Sequence, residues 1–378
     1  MGMKSSRITA LQRRFTDTAV DRLEDFIKRE WFLSLLLVLY IVLTLNDPSL
    51  LRRTPSLIDW ESLTLITSLI LVSKGLELSG IFTRLSIRLI SLSGGSERKL
   101  MLLLIPTVAL SSAVIMNDTA MLVFIPLVVI TSRLAGIDTA RAVTLSAIAA
   151  NVGSSLTPIG NPQNIMIWNA YGLSFVEFTG AMLPFVLLWL VIILLSILIL
   201  REKPLTLEKL PPMAVNGRLL LASSFLLITD VLLAETGNPL WTLPLTLVVL
   251  LALGREALLG FDWALVLAFA LIFADFGEIA RLISGYGFPS GGLALFLASA
   301  GLSQLISNVP ATVLFLGSKP EWLPLALGVN LGGTGMIIGS LANLIALRIS
   351  GIGMRDFHRY SIPYFLIALG ISILILLL

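Results

Sequence analysis

Long runs of apolar residues without a single charge dominate the sequence and restrict what it can fold into. Four of them span residues 182–200, 291–318, 322–347 and 361–378, and each reaches the roughly 18–20 residues that a helix needs to cross a bilayer. Charged residues make up only 13% of the chain, whereas soluble globular proteins carry about 25%. The sequence therefore predicts an all-α polytopic membrane protein, embedded in the lipid membrane.

The distribution of Lys and Arg predicts the topology. The first 30 residues form a polar N-terminal tail without signal-peptide features, and the first transmembrane helix and its loop follow at 31–56. Applying the positive-inside rule loop by loop places the N-terminus in the cytoplasm, with about nine full crossings of the plasma membrane and a cytoplasmic linker at 201–218. Residues 81–92 predict an amphipathic helix at the cytoplasmic interface. Only Arg52 and Arg53 run against the rule, because they fall outside.

Two pairs of shorter apolar stretches predict re-entrant hairpins at about 101–132 and 291–318. In the first hairpin, Asn117-Asp118 separates two arms that are short for a full crossing. The motif Asn117-Asp-Thr-Ala120 matches Asn308-Val-Pro-Ala311 in the second hairpin. We therefore predict that both motifs form hairpin tips.

Two long apolar segments, at about 142–168 and 322–348, contain a break that a smooth helix cannot pass. Pro158 and Pro162 each remove a backbone donor in the first. The block 151–164 aligns without a gap on 330–343, and both blocks begin and end with Asn. This alignment predicts repeat 1 at 57–200 and repeat 2 at 219–378. Because Asp59 and Asp262 open equivalent spans from opposite sides of the membrane, the repeat is predicted to be inverted.

Open backbone at membrane depth is tolerated only where protein or a water-filled cavity satisfies it, so the breaks should line a central site. Freed carbonyls suit a cation, and helix N-termini suit an anion. The candidate substrate-binding residues are Asn117, Thr119, Ser154, Ser155, Thr157, Ser307, Asn308, Gly332, Gly333 and Thr334. The candidate cation-binding or coupling residues are Asn117, Asp118, Asn151, Gly153, Asn164, Asn308, Asn330 and Asn343.

Asp118 is the one carboxylate in the breaks, and an ionisable group at membrane depth indicates a function. It is interpreted either as a cation ligand or as a proton carrier. The single histidine, His358, is predicted to lie on the surface in a charged loop before the last helix.

Several function classes are disfavoured. The chain has no cysteine and therefore no thiolate chemistry, and no Gly-x-x-x-x-Gly-Lys-Ser/Thr string for binding ATP phosphates. No cluster of residues indicates a metal cofactor or a nucleophile beside a base, so the chain is predicted not to be an enzyme. Lys and Arg lie mostly at segment ends, so no nucleic-acid partner is expected. An ion channel stays open as an alternative.

The tips and breaks resemble those of the ion transporter superfamily, which includes divalent-anion/sodium symporters, citrate carriers, arsenite permeases and some sodium/proton antiporters. In the divalent-anion branch each tip carries Ser-Asn-Thr and is followed by a Thr-Pro-Pro-Asn type break. The matching residues are Asn117, Ser307, Asn308, Pro162 and Asn164, and the departures are Met116, Asp118 and Val309. The Asn-Asp tip is more similar to arsenite permeases and to relatives described generically as anion permeases. The resemblance covers nearly the whole chain after about residue 30.

The resemblance implies secondary active transport of a small anion, either a di- or tricarboxylate or an inorganic oxyanion. It also implies coupling to sodium or protons, sodium at the hairpin tips, and alternating access by a transport domain that carries both hairpins against a scaffold domain. A homodimer is implied as well. An arsenite or antimonite efflux permease and a sodium/proton antiporter are the alternatives within the superfamily.

Overall fold

The computed structural model describes residues 30–135, 137–199, 214–283, 285 and 287–377. Two predicted segments lie outside the described residues, namely the N-terminal tail apart from Glu30 and residues 201–213 of the linker. All regular structure in the described ranges is helical, which confirms the all-α prediction.

Most consecutive helices in the described ranges are joined by connections of a few residues. In chain order they are α1 Trp31–Asn46, α2 Leu50–Leu57, α3 Trp60–Leu78, α4 Ile81–Leu92, α5 Glu97–Ser112, α6 Asn117–Ala135, α7 Thr139–Ser154, α8 Pro162–Tyr171, α9 Phe175–Leu198, α10 Gly217–Glu235, α11 Thr242–Leu253, α12 Arg255–Leu259, α13 Trp263–Leu282, α14 Gly292–Ile306, α15 Asn308–Leu316, α16 Trp322–Gly332, α17 Leu341–Ser350 and α18 Met354–Leu377. Two short 3₁₀ segments, Pro239–Trp241 and Ile337–Gly339, precede α11 and α17. Helix α4 has the bounds predicted for the amphipathic helix.

Four of the described helices, α9, α10, α13 and α18, are long and apolar enough to cross a membrane, and a fifth span results if α2 and α3 count as one bent span. The exposed face of α9 carries Leu183, Leu187, Val191 and Leu195 at a spacing of four residues, which is one face of a helix. Aliphatic side chains on an outer face fit a lipid environment. The number of crossings stays a prediction.

The chain divides into two units. The smaller one contains α1, α2, Asp262 and residues 263–278 of α13. Within it, Arg53 Nη2 lies 2.8 Å from Asp47 Oδ2 and 3.1 Å from Glu278 Oε1. The arginine that runs against the positive-inside rule is therefore paired with two carboxylates, on a short helix where the sequence predicted a loop.

The larger unit contains residues 59–261 and 279–378, and α7 and α16 are among its helices that are buried on all sides. In α7 every residue from Ala142 to Ser154 is buried, as is every residue from Leu325 to Gly332 in α16. A helix that is surrounded on all faces belongs to a core. Both core helices lead directly into the predicted breaks.

The breaks and tips are resolved as connections between helices. The chain leaves helical structure between Ser154 and Pro162, and between Gly332 and Leu341 apart from one 3₁₀ turn, as the Gly and Pro pattern predicts. The second tip is a single residue, Ser307, at φ 77°. The first tip differs from the prediction, because α6 begins at Asn117. The turn therefore precedes Asn117-Asp118, and the Asp118 N–H is capped by Asn117 Oδ1 at 3.0 Å.

Candidate functional site

Four asparagines from the ends of the two aligned blocks meet in the centre of the larger unit. Asn151, Asn164, Asn330 and Asn343 are each at most 3% exposed. Asn151 Nδ2 donates to Asn343 Oδ1 at 2.9 Å, and Asn330 Nδ2 donates to Asn164 Oδ1 at 2.6 Å. Each asparagine of the first block thus contacts the opposite end of the second block, and the two contacts are reciprocal.

Asn164 and Asn343 also make equivalent hydrogen bonds to backbone carbonyls of the two breaks. Asn164 Nδ2 donates to the carbonyls of Ser154 at 3.2 Å and Thr157 at 2.9 Å. Asn343 Nδ2 donates to the carbonyls of Gly333 at 2.8 Å and Met336 at 3.2 Å. These acceptors are equivalent in the alignment, where 154 corresponds to 333 and 157 to 336. The carbonyls freed by each break are therefore partly satisfied by a buried amide.

Two further polar residues belong to the network, and neither was predicted from the sequence. Asn161 Nδ2 donates to Asn330 Oδ1 at 2.9 Å, and Ser340 Oγ donates to Asn151 Oδ1 at 2.9 Å. Asn161 and Ser340 occupy the same position in the two aligned blocks. A polar residue at this position in both blocks was the sequence signal that could have identified them. We call the six residues Asn151, Asn161, Asn164, Asn330, Ser340 and Asn343 the asparagine core.

The two hairpin tips lie against this core. Asn117 Nδ2 donates to Asn151 Oδ1 at 3.1 Å, and the Asn117 N–H donates to the Gly160 carbonyl at 3.0 Å. In the second half, a Cβ built on Gly333 would lie 3.1 Å from Asn308 Nδ2. Each tip asparagine therefore contacts the break of its own half.

Three polar groups at the tips keep unused hydrogen-bonding capacity. The Asp118 carboxylate, the Thr119 hydroxyl and the Asn308 amide nitrogen have no hydrogen-bond or ion-pair partner among the residues that the structure describes, although these residues are 9%, 5% and 2% exposed. A carboxylate can bind a cation or a proton, and the amide and hydroxyl can donate to an anion. These three groups at the tips therefore remain available to a ligand.

The other predicted hydroxyl residues use their donors on neighbouring acceptors. Ser154 and Ser155 both donate to the Asn151 carbonyl, at 2.9 and 2.7 Å. Thr157 donates to the Ala113 carbonyl at 2.6 Å, and Thr334 donates to the Leu331 carbonyl at 2.7 Å. Their oxygens can still accept a hydrogen bond or bind a cation. Ser307, at the second tip, lies 3.4 Å from Asn308 Oδ1.

Two of the predicted glycines allow the hairpin arms to approach the core helices closely. A Cβ on Gly153 would lie closer than 3.0 Å to three backbone atoms of Ala109 in α5. A Cβ on Gly332 would lie 2.8 Å from the Ala300 carbonyl oxygen and 2.5 Å from Ser303 Cβ in α14. Both glycines thus serve close packing at corresponding positions.

Gln304 and His358 hold the second break, and neither was predicted to do so. Gln304 Nε2 donates to the Gly332 carbonyl and its Oε1 accepts from the Met336 N–H. The Ile337 N–H donates to His358 Nε2 at 3.1 Å. The predicted surface loop around His358 is wrong, because the residue lies in the second turn of α18. Ala113 aligns with Gln304, so the repeat gave no signal for this residue.

Comparisons with known proteins find similarity to a transporter family and to membrane proteins. A family profile described as citrate transporter matches residues 26–318. The inner membrane protein YbiR of Escherichia coli K12 is 36% identical over 92% of this chain and 96% of its own length. An uncharacterized transporter of Methanocaldococcus jannaschii is 35% identical over 57% of this chain and 60% of its own. One from Mycobacterium tuberculosis H37Rv is 26% identical over 78% of this chain and 79% of its own.

Proposed function

Because the chain belongs to the citrate transporter family, we propose that it is a secondary active transporter that moves a small anion by alternating access. Family membership makes the chain a membrane transport protein and not an enzyme, as predicted from the sequence. The anion proposed is a di- or tricarboxylate or an inorganic oxyanion, and the driving force is a sodium or proton gradient.

The observation that carries this proposal is the set of four helices that begin at the asparagine core. They are α6 at Asn117, α8 at Pro162, α15 at Asn308 and α17 at Leu341. The N-terminal end of a helix carries a partial positive charge and suits an anion. Broken helices whose N-termini point at an anionic substrate near the midplane are a recurring device of secondary transporters.

The matching contacts of the two halves support an inverted repeat. Asn151 with Asn343, and Asn330 with Asn164, form one contact and its mirror in the alignment. Such reciprocity is what a two-fold relation between two copies of one motif produces. An inverted repeat would make 101–132 and 291–318 re-entrant hairpins from opposite sides, with about nine full crossings in all.

Within this site, we assign substrate contacts to the tips and coupling to the first tip. Thr119 and Asn308 have donors that no described residue uses, and Asn117 fixes the first tip against the core. Asp118 offers the only tip carboxylate, since Val309 stands at the equivalent position. We therefore place the coupling cation, sodium or proton, at Asp118.

The direct test is uptake by the purified full chain in proteoliposomes. A panel of tricarboxylates, dicarboxylates, phosphate, sulfate and arsenate is offered with a sodium gradient and with a proton gradient in turn. Asn117→Ala and Asn308→Ala are expected to lose most gradient-driven uptake, and Asn238→Ala, an exposed loop asparagine, is the matched control. If both tip variants transported like the wild type, the site assignment would be wrong.

The same assay separates the alternatives. Rapid anion flux without any gradient would indicate a channel. Proton release driven by sodium alone, without an anion, would indicate the sodium/proton antiporter, which the unpaired Asp118 carboxylate favours as second candidate. Resistance of a sensitive host to arsenite or antimonite would indicate the efflux permease that the Asn-Asp tip resembles.

A further inference from the structure

One buried carboxyl group, that of Asp230, lies among helices that contribute no residue to the asparagine core. Asp230 on α10 is 0% exposed, and its Oδ2 lies 2.6 Å from Ser68 Oγ on α3. Ser68 Oγ in turn lies 2.8 Å from Thr246 Oγ1 on α11. Three helices thus each supply one oxygen to a buried row, and Ser68 and Thr246 are also 0% exposed.

The number of hydrogens in this row defines two states. Ser68 Oγ is placed to donate to both neighbours, but a hydroxyl has only one hydrogen. If Ser68 donates to Thr246, the contact with Asp230 requires a proton on the carboxyl, which then donates to Ser68. If Ser68 donates to Asp230 Oδ2, that oxygen needs no proton, so the carboxyl can ionise, and the Thr246 hydroxyl can then turn toward Ser68. The two states differ by one proton and by the direction of the row.

None of the ion pairs among the described residues would neutralise an ionised Asp230. Its Oδ1 is buried without a hydrogen-bond partner, and the ion pairs of the described residues do not include Asp230. A buried carboxylate with a single hydrogen bond is costly in a low-dielectric environment. The neutral acid fits this environment better, so the geometry favours a protonated Asp230 over an ionised one.

The charged side chains near the row are engaged elsewhere or exposed. Lys74 on α3 pairs with Glu77 at 2.9 Å, Arg218 on α10 donates to the Ala252 carbonyl at 3.2 Å, and Glu235 accepts from the Phe175 N–H at 2.9 Å. Five further charged residues lie on α3 and on the elements packed against it: Glu61 on α3 itself, Arg255 and Glu256 on α12, and Arg84 and Arg88 on α4. Helix α11, the 3₁₀ segment before it and α8 carry no charged residue, while α6 carries Asp118 and Arg133.

We propose that Asp230, Ser68 and Thr246 form a proton-binding site outside the asparagine core, in which the carboxyl takes up and releases one proton. On uptake a proton from water adds to a carboxylate oxygen, the O–H of the acid donates to Ser68, and Ser68 donates to Thr246. On release the same proton leaves and both hydrogen bonds reverse. This site goes beyond the proposed transport function and does not depend on which anion is carried.

The test is infrared difference spectroscopy of the purified full chain in lipid, stepped through pH in water and in heavy water. The wild type should show a C=O band of a hydrogen-bonded carboxylic acid that disappears as the pH rises. This band should be lost in Asp230→Asn, shifted in Ser68→Ala, and retained in Asp118→Asn. The Ser68→Ala and wild-type titrations keep the test decisive if Asp230→Asn does not fold.

Three results would overturn the proposal. A band that persists at every pH would make Asp230 a permanently neutral structural acid. Absence of the band at every pH would indicate that Asp230 is ionised throughout. A band that changes when choline replaces sodium in the buffer would indicate a cation site. Loss of the band in Asp118→Asn but not in Asp230→Asn would assign the proton to the first tip. Since no substrate is needed, these outcomes are independent of the uptake experiment.

Discussion

Replacing Gly153 with alanine should separate the first hairpin from the core helix that it packs against. The added Cβ would lie closer than 3.0 Å to the oxygen, the carbonyl carbon and the Cα of Ala109, a separation that Cβ atoms essentially never show. These are backbone atoms, so no side-chain rotation can relieve the overlap. Helix α5 must shift, and with it the turn at 113–116 that connects it to Asn117 at the first tip.

The expected cost follows from two opposing terms. Overpacking a buried site costs typically about 1–3 kcal/mol, and a backbone overlap should lie at the upper end of that range. Alanine regains about 0.5–1 kcal/mol over glycine inside a helix. The net destabilisation is therefore about 2 kcal/mol, measured as a lower unfolding temperature by tryptophan fluorescence in detergent. Gradient-driven uptake should fall by more than this loss of stability alone would cause, because the displaced tip carries Asn117 and Asp118.

Alanine substitutions at two other glycines provide graded comparisons for Gly153→Ala. At Gly332 the nearest atoms to a new Cβ are 2.5 and 2.8 Å away and one of them belongs to a side chain, so Gly332→Ala should cost less. Gly180 lies in α9 with nothing within 4 Å of the new Cβ, so Gly180→Ala should be neutral or slightly stabilising. If Gly153→Ala unfolded at the same temperature as Gly180→Ala, the close approach of α5 and α7 would be refuted.

The remaining predictions concern the asparagine core, Asp118 and the connection before α7. Asn330→Ala leaves two buried polar groups without a partner, namely Asn164 Oδ1 and the neighbouring Gln163 Nε2, so it should lose about 2–6 kcal/mol of stability at about 1–3 kcal/mol per group; an unfolding temperature equal to the wild type would contradict this. Asp118→Asn should change the dependence of uptake on sodium or pH more than Val309→Thr, and equal effects would count against the asymmetry of the tips. Burial alone would raise the pKa of Asp138, but hydrogen bonds, above all from the Tyr360 hydroxyl, lower it overall. The stability it contributes is therefore present above the ordinary aspartate pKa and lost as the pH falls through the lowered value, so the unfolding temperatures of the wild type and Asp138→Asn should converge below about pH 4.

The repeat in the sequence anticipated much of the site because both halves use the same residue types at the same spacing. Asn151 and Asn330 each donate to the carbonyl four residues earlier, Ala147 and Ala326, a contact set by helix geometry alone. Their cross-repeat partners could not be assigned, since sequence spacing does not tell which ends of two broken helices meet. That pairing depends on tertiary packing.

Residues outside the repeat were harder to predict. Gln304 and His358 bind backbone groups of the second break, namely Gly332, Met336 and Ile337. These backbone groups become available only where the backbone leaves the helix, so no pattern of side chains in the sequence predicts these contacts. Asp230 lies in an apolar span, and its partners on α3 and α11 come from distant parts of the sequence. Burial and hydrogen-bond geometry identify it, whereas periodicity does not.

The composition of the asparagine core has a consequence for how charge enters the site. Amides and one hydroxyl both donate and accept, so the core satisfies itself while remaining neutral at every physiological pH. Its field is then set by the helix N-termini, which favour an anion in both halves alike. The only ionisable group at the tips is Asp118, present in one half alone. A cation or proton bound there would change the charge that faces the substrate without rearranging the core. A core with matching contacts in both halves can in this way accommodate a coupling step that involves only one half.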